Sequence, residues 1–125
     1  MIMPHVLISG PASIEQYFQE FEAFTLREGT RILKLKDAFL NHDKSIMMLE
    51  AVVVEDRIPQ TFYIVIAKRG EFISVHLDML TDPEKNDGVR RLLALVAYKL
   101  TSQHPDCRYA KHNLDGFLIE TPAPS

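Results

Sequence analysis

The chain has one cysteine, no tryptophan and only five glycines among its 125 residues. The lone thiol, Cys107, excludes an intrachain disulfide and fits a reducing compartment. No apolar run approaches the roughly 20 residues that a membrane-spanning helix needs. The opening Met1-Ile2-Met3-Pro4-His5 lacks the cationic start and apolar stretch of a secretory signal. The expectation is a cytoplasmic protein with no membrane partner.

Positive charge is in short supply as well. Fourteen Lys and Arg stand against 17 Asp and Glu, for a net charge of -3. The basic pairs Lys34/Lys36, Lys68-Arg69 and Arg90-Arg91 do not join into a run. Nothing electrostatic therefore favours nucleic acid. Tyr63 and Phe72 near Lys34 and Lys36 have the flavour of a base-stacking sheet, but the acidic balance and a facing Glu50 oppose it. No nucleic-acid partner is expected.

Recognisable chemical motifs are missing too. There is no glycine-rich phosphate loop, no Walker motif, no Gly-x-Ser-x-Gly elbow and no His-Glu-x-x-His. The strand-turn-helix context of Ile8-Ser9-Gly10-Pro11-Ala12-Ser13 lacks the glycines and the lysine of an anion site, so it reads as a capped turn. No cofactor is expected.

What remains is ordinary globular material. Hydrophobic residues make up 46% and charged residues 25%, enough for one domain, 1–125, with its own core. Two prolines and no apolar anchor make 121–125 a flexible tail.

Four stretches rich in β-branched, aliphatic and aromatic residues, 30–40, 45–55, 61–68 and 71–78, are separated by short polar breaks. Such tight spacing predicts an antiparallel meander, since parallel strands need long crossovers. Turns at Arg69-Gly70, 56–59 and His42-Asp43-Lys44 pair Ile66 with Ile73, Val53 with Phe62, and Leu33 with Val53. Alternation then defines an inner layer of Leu33, Leu35, Met47, Leu49, Ala51, Val53, Phe62, Ile64, Ile66, Ile73, Val75 and Leu77. Phe39 joins this layer near the strand end, and Asp37 is its misfit unless a bulge turns it outward.

The opposite layer is the informative one. A water-facing sheet surface should be mostly polar. Here Met48, Val52, Val54, Tyr63 and Val65 make an apolar middle, with charges around it.

Two helices are expected to cover the inner layer. Ser13 is a suitable N-cap, and Ile14, Tyr17, Phe18, Phe21 and Phe24 recur at helical spacing. A second helix over about 89–103 is apolar almost all round, which implies burial on more than one side. His5-Val6-Leu7-Ile8 reads as a short edge strand. Residues 108–112 and 117–120 read as a last hairpin, or else only Phe117-Leu118-Ile119 docks on the helices as a strap. The fold class is thus α+β: an antiparallel four-stranded meander, extended at most by short terminal strands, with two main helices on one face.

Three constellations carry potential chemistry. His76 and Asp78, two apart on one strand, share a face near Tyr63 and Thr61, where a carboxylate could orient an imidazole as a general base. They are the catalytic candidates, yet no nucleophile or oxyanion donor accompanies them. His104, Cys107 and His112, with Asp106 or Asp115 adding oxygen, loosely suggest metal ligands, but one sulfur without a paired ligand favours a plain helix end. The five apolar outer residues form the binding candidate.

The functional expectation is a non-enzymatic interaction or adaptor module. It would associate with a second copy or another protein through the outer sheet face or the apolar second helix. The alternative is a small-molecule-binding protein or small enzyme, its pocket on the outer face around His76, Asp78 and Tyr63, roofed by the C-terminal segment.

Overall fold

A computed structural model describes residues 3–81 and 83–119. Asp82, Glu120 and the expected tail at 121–125 lie outside them. The described residues form one antiparallel sheet of seven strands and two short helices, in the order β1 (His5–Ser9), α1 (Ile14–Gln19), β2 (Phe24–Glu28), β3 (Arg31–Leu40), β4 (Ile46–Glu55), β5 (Ile58–Arg69), β6 (Phe72–Leu77), α2 (Asp87–Thr101) and β7 (Arg108–His112). Across the sheet the strands run β2-β3-β4-β5-β6-β1-β7. The expected four-stranded meander with two main helices is therefore corrected to a seven-stranded sheet.

Three segments account for the difference. The helical stripe predicted through Phe24 ends early: α1 stops at Gln19, and Phe24-Thr25-Leu26-Arg27-Glu28 alternates as a strand against β3. Phe24 fits both periods, three after Phe21 and two before Leu26, so spacing alone does not assign it. The segment at His5 is not an edge: β1 lies between β6 and β7. Residues 108–112 pair with β1 instead of forming a terminal hairpin, while Leu114 is fully buried and Phe117 and Leu118 pack against the core.

The register differs from expectation by two residues in two hairpins. Asp56 and Arg57 both have positive φ, 52° and 65°, and close a two-residue turn with Glu55 opposite Ile58. Pro59 is thereby inside β5 instead of ending a loop, and Val53 meets Gln60. The next turn is Gly70-Glu71, not Arg69-Gly70, which sets Ile66 opposite Val75 and Ile64 opposite Leu77. A slip of two keeps every side chain on its face. All twelve expected inner-layer residues are accordingly buried.

β3 and β4 pair as expected at Leu33–Val53 and Leu35–Ala51, after which the register shifts between Leu35 and Asp37. This bulge turns Asp37 outward, opposite Glu50, and its carboxylate accepts from the Ala38 N–H at 2.8 Å. It also corrects Phe39, which faces outward opposite Met48 and is 50% exposed. The loop beyond is longer than three residues, with Lys44 in the left-handed region at φ 63°.

Both helices lie on the inner layer. Ser13 caps α1, its hydroxyl accepting from the Gln16 N–H at 3.1 Å. α2 starts at the Asn86 cap and buries Val89, Leu92, Leu93, Val96, Ala97 and Leu100. Each buried Val and Leu among them contributes about 1.5–3 kcal/mol relative to exposure. Glu55 fixes the start of α2: its carboxylate pairs with Arg31 at 2.7 Å and accepts from the Gly88 N–H at 3.2 Å, at the positive end of the helix. Arg91 pairs with Glu28 of β2 at 3.2 Å. The helix is thus tied to the sheet at two places.

The turn at Asp56-Arg57 holds two non-glycine residues in a conformation that favours Asn and Gly. Replacing them by Asp56→Asn and Arg57→Gly is expected to raise stability by about 1 kcal/mol. Urea unfolding checks this, and a lowered midpoint would contradict the turn.

Candidate functional site

The outer layer can be followed row by row, because directly opposed residues share a face. One row runs Phe39, Met48, Val65, His76 and His5. Beside it runs the row Ile46, Ala67, Ser74 and Leu7, of which Ala67 and Ser74 are buried. Toward the other strand ends, Lys34, Val52 and Thr61 form one row, and Ile32, Val54 and Pro59 the next. Between the two apolar zones lies a polar row of Asp37, Glu50 and Tyr63, with Asp78 beyond. Lys36 adds a 3.6 Å ion pair to Glu50.

Met48, Val52, Val54, Tyr63 and Val65 are all in this layer, and each is only half-buried. The helices and the turn at 114–118 pack on the inner core, so they do not roof it. Two further residues belong here. Phe39 was hidden by the bulge, for which the misfit of Asp37 is the sequence signal. Ile46, 42% exposed, lies within the predicted stretch 45–55 and follows from its parity with Met48.

His76 and Asp78 share the outer side of the sheet, but the register places His76 opposite Val65 instead of Tyr63. Tyr63 lies beside Asp78, whose N–H donates to the Tyr63 carbonyl at 2.9 Å. His76 Nδ1 is 3.3 Å from Ser74 Oγ. Among the described residues no hydrogen bond or ion pair joins His76 to Asp78. Burial pushes the His76 pKa down, and the charges of Arg69 and His5 add to this against the weaker opposing effect of Asp78. Nothing here holds the imidazole in the strongly basic state that the pairing would create.

His104, Cys107 and His112 are each engaged locally. His104 Nδ1 accepts from the Asp106 N–H at 3.0 Å, and His112 Nδ1 accepts from the Leu114 N–H at 3.2 Å. Cys107 is buried, and that burial pushes its thiol pKa up, away from the thiolate a metal would need. Among the described residues no group of three His, Cys, Asp or Glu could hold a metal ion. No described helix is long and apolar enough to cross a membrane.

Scans of the chain against protein-family models, curated proteins and solved structures each find no match.

The depressed His76 pKa has a defined consequence for stability. An unfolded chain takes up a proton near the ordinary value of 6.5, before the folded one does. Stability contributed by neutral His76 is therefore complete above 6.5 and is lost as pH falls through the lower folded value. His76→Gln is expected to flatten that acid-side decline in urea midpoints measured from about pH 7.5 down to about pH 5, the imidazole range. An NMR titration placing His76 above its ordinary value would contradict this.

Proposed function

We propose that this chain is a non-enzymatic interaction module that self-associates by burying the outer face of its sheet. The observation that carries the reading is the open apolar surface of Phe39, Ile46, Met48 and Val65, continued by Val52 and Val54, on a face without cover from this chain's described residues. Exposed apolar surface of this kind marks interaction sites. The second helix offers much less, because its apolar residues are already consumed by the core.

A second copy suits the layout of the face. The polar row of Asp37, Glu50 and Tyr63 separates two apolar zones. A two-fold axis parallel to the strands, above β4 and β5, sets each zone of one copy against the same zone of the other. Asp37 as well as Lys36 then comes near Asp78, so the apolar zones and not the charges carry the self-match that a closed dimer requires. Face-to-face packing of two sheets is also a standard way to bury such a layer. Cytoplasmic residence belongs to the same proposal, supported by the single buried thiol.

The small-molecule reading around His76, Asp78 and Tyr63 needed a roof from the C-terminal segment. Leu114, Phe117 and Leu118 pack on the opposite side of the sheet, so that roof is not formed by them.

Sedimentation equilibrium tests the proposal. The unmodified protein is expected to be a dimer at about 100 µM, and Val65→Lys to shift it at least tenfold toward monomer by placing a charge in the interface. At a protein concentration low enough for both to be monomeric, its unfolding midpoint should be little changed, since Val65 faces outward. An unmodified protein that stays monomeric, or a Val65→Lys variant that dimerises as before, would overturn the reading.

A further inference from the structure

Two imidazoles meet on the outer layer where β6 joins β1. The register sets His5 directly opposite His76. The His5 N–H donates to Asn113 Oδ1 at 2.8 Å, and the His5 carbonyl accepts from the Asn113 N–H at 3.3 Å. Both backbone groups of His5 therefore point away from β6. Those of His76 point away from β1, since the next residue of the same orientation, Asp78, donates to the Tyr63 carbonyl on β5. The two histidines are thus a non-hydrogen-bonded antiparallel pair, the kind in which opposed α-carbons approach to about 4.5 Å and side chains lie closest. Both rings share one face, and both residues are half-buried.

The hydrogen bonds of the rings fix where their lone pairs lie. His5 Nδ1 is 3.2 Å from the Met3 carbonyl oxygen, which can only accept, so Nδ1 carries the proton. For His76 the assignment passes through Ser74. That hydroxyl donates its one proton to the Ala67 carbonyl at 3.4 Å, which leaves its oxygen to accept from the His76 Nδ1–H at 3.3 Å. Each neutral ring consequently presents an unprotonated Nε2, and neither Nε2 has a hydrogen-bond partner among the described residues. A metal-binding imidazole is held in this way, its other N–H given to a nearby oxygen. His104 and His112 are set the opposite way: their Nδ1 atoms accept backbone N–H groups, so the proton of a neutral ring sits on Nε2.

The surroundings suit a weakly held cation. Burial keeps His76 uncharged, with its lone pair available. Asp78 on the same side of the sheet favours positive charge there, while Arg69 opposes it. Among the described residues no third His, Cys, Asp or Glu completes a cage, so the remaining positions around an ion belong to water. Imidazole nitrogen suits nickel, copper and zinc, whereas magnesium and calcium take oxygen.

We propose that Nε2 of His5 and Nε2 of His76 together bind a divalent transition-metal ion of the nickel, copper and zinc group, in an open and exchangeable site. Both ligands come from a single copy of the chain, so the site does not rest on self-association.

Zinc titration followed by imidazole nitrogen NMR, at a protein concentration low enough for a monomer, tests it. One zinc ion per chain is expected, shifting the Nε2 resonances of His5 and His76 together and leaving those of His42, His104 and His112 in place. Magnesium should shift none of them. His5→Gln and His76→Gln should each weaken zinc at least about tenfold, as the loss of even a supporting hydrogen bond does, with the circular dichroism spectrum retained. Arg69→Gln leaves both ligands and should tighten binding by removing a like charge. Absence of zinc binding, shifts at the other histidines instead, or undiminished affinity in His5→Gln or His76→Gln would each overturn the proposal.

Discussion

Alternation of side chains along a strand is the constraint on which this structure rests. Once Leu33, Val53, Phe62 and Val75 are committed to the layer beneath the helices, Ile32, Val52, Tyr63 and His76 have no choice but the other side. The helices can satisfy only the first set. α2 spends its apolar surface on the inner layer, with α1 and the turn at 114–118 completing the cover. The outer layer inherits whatever residues the sequence places at the alternate positions, and those residues are greasier than water alone would require.

The same constraint explains why a single inserted residue matters so much. The bulge after Leu35 reverses the sense of everything that follows on β3, moving Phe39 from the core to the open face and Asp37 from the core to solvent. A carboxylate that would otherwise be buried without a partner is thereby exposed, which removes a large desolvation cost. The irregularity is coherent with both residues at once. At the far edge of the sheet a second discontinuity, the short α1, leaves the helix layer incomplete and opens a groove beside β2.

Much of the inner layer was legible because its signal is redundant. Two turns were misplaced, yet each error amounted to two residues of register, and a two-residue slip conserves parity. Glu50 and Lys36 were likewise visible as neighbours. Partners distant in sequence were not legible: β1 meets residues 72–77 and 108–112, and no local pattern encodes that choice. Phe24 was not legible as a strand residue, because it sits at helical spacing from Phe21 and at strand spacing from Leu26. For the candidate sites, the five outer residues could be named from alternation, whereas Phe39 required the bulge.

The placement of β1 carries a consequence for how the molecule assembles. The five strands from β2 to β6 are joined by local hairpins and can zip up in the order in which a ribosome delivers them. β1 is synthesised before all of them but takes its place between β6 and β7, closing loops of some of the longest span in the chain. Such closures are entropically slow. During translation β1 must therefore wait, one edge unpaired until residues 72–77 have emerged and the other until 108–112 have, so the sheet is completed only after α2 has been made.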